Sequence, residues 1–263
     1  MSERSTLPIA EIVEENETVR TFYFDYELAG QPGQFIMLTD LENGEKPFSI
    51  SECDDDYFAV TIKKLGKFTE NIFQKQEGDL LSFRGPYGSP FSLAGENCLL
   101  VGGGYAVPPL YFLSRELLKR GSNITIINGA RTQEDLVFCG RFQKMGLDYK
   151  RITDAGCLGR AGTSVDIARE LLSQQTFDMV YVSGPELMMS AMRSVLTDFK
   201  ELEYEFLFER YMKCAIGICG NCTIDPLGIR LCVEGPVLAR SQIEQLTEFG
   251  EYHRNAAGTK QYY

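Results

Sequence analysis

Cys214, Cys219, Cys222 and Cys232 fall within nineteen residues of a 263-residue chain, spaced C-x4-C-x2-C-x9-C. The leading intervals are those of a plant-type [2Fe–2S] run, in which a tight glycine-containing loop presents thiolates and a fourth cysteine arrives from beyond a turn. Gly217 and Gly220 lie between the sulfurs. They give the backbone the freedom a cluster-wrapping loop needs, and let amides point at sulfur. Such a cluster passes one electron at a time, so the pattern points to electron transfer. A zinc knuckle is the second reading, but zinc sites usually pair two C-x2-C-like clips, and here the fourth cysteine stands alone. A disulfide framework is the third, in a chain too long to need stapling. Cys53, Cys98, Cys139 and Cys157 are scattered and read as small buried hydrophobes.

Composition narrows the function classes. Hydrophobic residues make up 44% and charged residues 24% of the chain, as in ordinary globular proteins. A net charge of −11 is the wrong sign for nucleic-acid phosphates and for anionic lipid. No apolar run approaches the ~20 residues of a transmembrane helix. Residues 1–5 lack the basic-then-apolar layout of a signal peptide, so a cytoplasmic protein with no nucleic-acid or membrane partner is expected. There is no tryptophan and a single histidine, His253, read as a surface or tail residue. Proton-transfer enzymes usually recruit histidine. A protein whose cofactors carry hydrides and electrons needs none, and no side chain stands out as catalytic.

Three stretches of chain must position this chemistry. From Leu7 to about Phe91, short alternating strands (19–26, 34–39, 48–51, 57–63, 79–84) recur between turns rich in Gly, Pro, Asn and Asp. That spacing predicts an antiparallel barrel, with a short helix at 67–74. From Asn97 strands at 98–101, 123–128, 149–153 and 179–183 alternate with helical runs at 108–120, 167–174 and 185–199. Thr132-Gln-Glu-Asp135 and Thr163-Ser-Val-Asp166 read as capping boxes that open helices. The alternation predicts a parallel α/β sheet with helices on both faces. The cysteines occupy a third, small module at the C-terminal end.

Smaller signals punctuate these stretches. Lys46-Pro-Phe-Ser49 opens a barrel strand and Gly66-Lys-Phe-Thr69 opens the short helix. A basic side chain beside a helix N-terminus can hold a diphosphate, and a serine on a strand can hydrogen-bond a flat heterocycle. A plain strand start or turn explains each equally well. Their order says more: Lys-x-x-Ser, Gly-x-x-Thr, Gly85-Pro-Tyr-Gly88, then the strand-to-helix turn Gly102-Gly-Gly104.

That order resembles the ferredoxin–NADP reductase-like family over about residues 5–200. The resemblance implies a multi-domain chain: an antiparallel β-barrel flavin domain at 1–94, an α/β parallel-sheet nicotinamide domain at 95–203 and a small C-terminal [2Fe–2S] module at 204–263. It implies FAD held by Lys46, Pro47, Phe48, Ser49, Ile62, Lys63, Gly66, Lys67, Phe68 and Thr69. Lys46 stands where the family usually has an arginine on the flavin diphosphate, and the Ser49 hydroxyl where one lies near the flavin N5. It implies NAD as substrate at Gly102, Gly103, Gly104, Arg131, Gly184 and Pro185. Two departures are visible. Lys46 gives up the bidentate fork of arginine, and Ala106 stands where the family's loop has glycine. A plain strand-to-helix turn explains Gly184-Pro185 equally well. Nothing in the residues chooses NADH over NADPH.

Met212-Lys-Cys214 through Cys222, followed by Cys232-Val-Glu-Gly-Pro236 and the tail at 248–258, extends the likeness. Nearly the whole chain resembles the electron transfer subunits of dihydroorotate dehydrogenase B. This implies that Cys214, Cys219, Cys222 and Cys232 ligate a [2Fe–2S] cluster. It implies an FMN-containing catalytic partner that oxidises dihydroorotate in pyrimidine (UMP) biosynthesis, with electrons crossing the cluster and FAD to NAD+. A heterotetramer with two of each subunit is implied, the cluster lying at the interface. Met212, Ile216, Ile218 and Leu227 are then candidate partner contacts, with local packing of a small module as the stronger competing reading. Two rivals stand beside this: an NAD(P)H-dependent reductase subunit feeding a sulfite or sulfur reductase, hydrogenase or ferredoxin partner, and a non-enzymatic zinc-binding regulatory protein.

Overall fold

The computed structural model describes residues 4–263; the reading of the chain's start at Met1, Ser2 and Glu3 lies outside them. Seven strands open the chain: β1 (Ser5–Pro8), β2 (Glu11–Asn16), β3 (Val19–Asp25), β4 (Phe35–Asp40), β5 (Gly44–Cys53), β6 (Tyr57–Lys63) and β7 (Leu80–Tyr87), with helix α1 (Lys67–Ile72) before the last. They form one antiparallel sheet in the order β1-β7-β4-β5-β6-β3-β2. The expected barrel is a half-barrel, because its edge strands β1 and β2 do not pair with each other among the described residues. β1 has only four residues and ends on Pro8, which has no amide to donate. Curvature comes from the ten-residue β5. Its residues 44–49 pair with β4 and 50–53 with β6, with a bulge between Ile50 and Glu52 that bends the strand. The concave side fills with aromatics: Phe58 stacks on Phe24 at 5.0 Å and meets Phe83 edge-on at 4.9 Å.

The second sheet uses β8 (Asn97–Gly103), β9 (Asn123–Ala130), β10 (Asp148–Thr153), β11 (Met179–Ser183) and β12 (Glu203–Leu207), joined by α2 (Pro108–Lys119), α3 (Cys139–Lys144), α4 (Ser164–Gln174) and α5 (Glu186–Leu196). These five strands are parallel, in the order β10-β9-β8-β11-β12. β8 is buried from Cys98 to Gly103, as a strand covered on both faces must be. Its alternate residues divide: Leu99 and Val101 join the core under α4 and α5, while Cys98 and Leu100 join the core under α2 and α3.

The capping box at Thr163 opens α4 as expected: the Asp166 amide donates to Thr163 Oγ1 and the Thr163 amide to Asp166 Oδ2. Its twin at Thr132 does not open a helix. Thr132 Oγ1 bonds the Asp135 carboxylate instead (3.2 Å), and α3 begins only after Phe138, whose φ is 63°. Cys157 is exposed and Cys139 half-buried, against the expectation that both are core residues; Cys53 and Cys98 are buried.

The cysteine segment is built onto this second sheet. After the two-residue strands β13 (Thr223–Ile224) and β14 (Ile229–Arg230), β15 (Val237–Ala239) pairs antiparallel with β12 as a sixth strand. A short helix α6 (Arg240–Ile243) and a hairpin of β16 (Tyr252–Arg254) and β17 (Lys260–Tyr262) end the chain. Phe206, Phe208, Leu231, Leu238 and Phe249 share one core with Met189 and Met192 of α5. The two sheets are clamped by charge. Glu52 of β5 accepts from Arg141 of α3, Arg115 of α2 and the Tyr23 hydroxyl. No helix among the described residues is long and apolar enough to cross a membrane.

Candidate functional site

A cavity of about 860 Å3 lies where the half-barrel, the α/β sheet and the cysteine segment meet. That is near the upper end for small-molecule sites. β5 contributes Lys46, Pro47, Phe48 and Ser49, and the loop and first turn of α1 contribute Gly66, Lys67, Phe68 and Thr69. β6 contributes Thr61 and Lys63 but not Ile62, because side chains alternate along a strand and Ile62 belongs to the half-barrel core. The Thr69 hydroxyl is occupied locally: it donates to the Gly66 carbonyl and accepts from the Gly66 and Leu65 amides, holding the start of α1. Two lysines reach across the cavity. Lys46 Nζ donates to the Tyr211 hydroxyl at 3.0 Å, and Lys63 Nζ stands 5.1 Å from the Tyr105 ring centroid. Lys46, Lys63 and Lys67 together can neutralise a diphosphate, and the Ser49 and Thr61 hydroxyls can meet the polar edge of a heterocycle.

From the α/β sheet come Tyr105, Ala106, Gly184 and Pro185. Gly102, Gly103 and Gly104 lie outside the lining and shape the floor behind it. A Cβ on Gly103 would meet Met188 Sδ at 2.5 Å and Pro185 Cδ at 3.0 Å, and Gly104 has φ +58°, so this turn accepts glycine alone without strain. Ser183 Oγ donates to the Ala106 carbonyl (2.6 Å), which pins the two turns together. Arg131 is exposed at the end of β9, away from the cavity.

The third wall carries Glu209, Arg210 and Tyr211, which no motif had marked, then Met212 of the cysteine run and His253, Arg254 and Asn255 of the tail, none of them expected at a cavity. His253 is therefore not a plain tail residue. Its burial could not be read from a sequence 184 residues beyond Thr69, the last α1 residue it shares the cavity with. Glu209 is exposed where the cavity opens, and the protein packed around it pushes its pKa up by desolvation. Its charge in turn, with burial, lifts Tyr105 to about 12. Arg210 is buried between Glu186 and Glu248. This ties the start of α5, next to Gly184-Pro185, to the segment around the cysteines.

The cysteine loop starts two residues beyond Met212. Gly217 N donates to Cys232 Sγ at 3.2 Å and Cys219 N to Cys214 Sγ at 3.4 Å. Burial opposes the Cys214 thiolate, but the amides of Cys219, Ile216 and Ile218 and the Cys219 thiol prevail and lower its pKa to about 6. Burial, reinforced by Cys222, raises Cys232 to about 12. Arg84 donates to the Cys214 carbonyl (2.9 Å), fixing the loop on the half-barrel. No three Cys, His, Asp or Glu among the described residues converge as ligands of one ion would. Cys214 interacts with Cys219, and Cys232 with Cys222 and Cys214, and four cysteines are the number a [2Fe–2S] cluster takes. Ile218 and Leu227 are exposed beside this loop, whereas Met212 is buried, so its place is in the wall and not on an outer face.

Comparison with known proteins agrees with this arrangement. Residues 209–244 match the iron-sulfur cluster binding domain of dihydroorotate dehydrogenase B, which displaces the zinc reading. The probable dihydroorotate dehydrogenase B (NAD(+)), electron transfer subunit of Methanothermobacter thermautotrophicus is 40% identical over 99% of this chain and 98% of its own. The protein of the same description from Methanocaldococcus jannaschii is 38% identical over 97% of each. Among solved structures, an NADH-dependent reduced ferredoxin-NADP oxidoreductase has a TM-score of 0.79 and 26% identity, covering 95% of both chains. Fold and site thus define an oxidoreductase of the ferredoxin–NADP reductase-like class with an iron–sulfur extension. The chain belongs to the family of dihydroorotate dehydrogenase B electron transfer subunits.

Proposed function

We propose that this chain carries electrons from a dihydroorotate-oxidising catalytic subunit, through a [2Fe–2S] cluster and FAD, to NAD+ in pyrimidine biosynthesis. It works in the cytoplasm, in a heterotetramer with two copies of each subunit. One observation carries the reading: a single cavity has walls from the half-barrel, the nicotinamide-type turns and the segment that runs directly into the cysteine loop. When bound, FAD exchanges a hydride with nicotinamide and single electrons with the cluster.

The chain's own residues bind and shield. Lys46, Lys63 and Lys67 set positive charge against the diphosphate, while Ser49 and Thr61 offer hydroxyls to the ring edge. Gly103, packed under Pro185 and Met188, keeps open the turn that would receive nicotinamide, and Arg131 at the end of β9, outside the cavity, would serve its outer half. Cys214, Cys219, Cys222 and Cys232 hold the cluster, with loop amides stabilising thiolate sulfur. Buried Met212 keeps water from the few residues separating cavity and cluster. The exposed Cys219, flanked by exposed Ile218, marks the side presented to the partner.

A Cys222→Ser variant tests the order. It keeps NADH-to-dye activity and loses electron transfer to the catalytic subunit; equal loss of both contradicts the relay. A second reading, delivery to a ferredoxin-linked partner, draws on the 26% identical structure. The 40% identity over nearly the whole chain favours the first.

A further inference from the structure

We infer that the C-terminal hairpin is the outer wall of the flavin cavity, and that His253 is the side chain through which it meets the flavin. β16 and β17 have three residues each, paired as Tyr252 with Tyr262, His253 with Gln261 and Arg254 with Lys260. Two such strands hold little stability alone, so something must fix them. One face of β16 is fixed by the cysteine segment: the Tyr252 hydroxyl and Arg254 Nη2 both donate to Asp225 Oδ2, at 3.1 and 2.5 Å. Asp225 is held in turn, its amide donating to Glu248 Oε2 at 2.9 Å.

His253 lies between Tyr252 and Arg254 in the cavity lining shared with Lys46 and Ser49, where Arg254 also reaches. Its ring leans on Tyr263, with centroids 5.0 Å apart. It makes no hydrogen bond among the described residues, and its Nδ1 is enclosed without a partner. The Nδ1 edge is closed off by protein, but the residue is half-buried in the cavity lining and its ring is held by stacking alone, so the part of the ring on the cavity side is left for a flat heterocycle. The outer side of the hairpin, Tyr262 at 73% exposure, faces solvent.

This inference rests on the cavity being that of FAD. The test is a fluorescence titration of the FAD-stripped full-length protein with FAD, alongside hydrogen exchange of the hairpin amides. Cluster absorbance checks that each variant is folded. His253→Ala should weaken FAD by about 3- to 10-fold, and Tyr262→Ala by less than about 2-fold. FAD should slow amide exchange across 252–262 in the parent protein. Parental FAD affinity in His253→Ala, with hairpin exchange indifferent to FAD, overturns the hairpin's role. So does a variant that keeps FAD and loses only NAD+. Lys67→Ala separates the two layers: if it too binds FAD like the parent, the cavity assignment falls as well.

Discussion

Glu209 makes no ion pair among the described residues, and desolvation alone raises its pKa. The unfolded chain therefore gives up this proton first as pH rises. The stability that the neutral carboxyl allows is complete below the unfolded value of about 4.3 and is lost as pH climbs through the higher folded value. Because Glu209 is itself exposed at the cavity, solvent offsets most of this penalty, and Glu209→Gln, neutral throughout, should melt only slightly above the parent protein at pH 7 and level with it near pH 4. Each kcal/mol corresponds to about 2–4 °C in a chain of this size, and calorimetry of the cofactor-free protein reads the gap. At the cysteines, the amides that lower Cys214 to about 6 make it mostly thiolate at pH 7, while Cys232, at about 12 and buried, stays protonated. Brief alkylation of cluster-free protein should label Cys214 well ahead of Cys232, as mass spectrometry would show. These cysteines were legible because their spacing is local. Glu209 was not, since a lone glutamate shows its surroundings only once the fold surrounds it.

At the scale of elements, identical motifs had different outcomes. Thr163-Ser-Val-Asp166 opens a run in which Val165, Ala168 and Leu172 are buried on one face at helical spacing, whereas Thr132-Gln-Glu-Asp135 precedes Leu136, Val137 and Phe138, three consecutive buried residues. Three successive buried residues carry no one-sided helical stripe, so packing gives the local cap signal no support at this point. The half-barrel is a similar case. Strand spacing predicted antiparallel pairing, but closure depended on β1, too short to reach across. The joint between the sheets gives its own prediction. Glu52, at 7% side-chain exposure, lies between Arg115 and Arg141. Removing one member of a buried charge pair costs about 3–5 kcal/mol. With the arginines at 18% and 20% exposure, Glu52→Gln should lie toward the low end, read as a lowered denaturant midpoint. Leu238→Ala, fully buried in β15, should lose about 2–5 kcal/mol and shed the cluster more readily in air, followed by the decay of visible absorption.

For the whole molecule, the decisive feature is that the site belongs to no single stretch of sequence. Residues 46–69, 105–109, 184–186, 209–212 and 253–263 each supply part of one cavity. The first three of these carried motifs. The fourth and fifth were marked only by Met212 and the tail likeness, neither tied to a cavity, so the order of elements was readable and the closing wall was not. The cysteine segment was expected to stand apart, yet it contributes a strand to the second sheet and shares its core. Flavin cavity and cluster loop are therefore held in one frame, as a subunit passing electrons between them requires. The most direct measurement is NADH formation from dihydroorotate and NAD+ by a mixture of this protein and an FMN-containing dihydroorotate dehydrogenase catalytic subunit. NADH should form only with both proteins present, and Cys222→Ser should abolish it while the catalytic subunit still reduces dye. A mixture that yields no NADH although the catalytic subunit oxidises dihydroorotate with dye, and this protein oxidises NADH with dye, would contradict the relay.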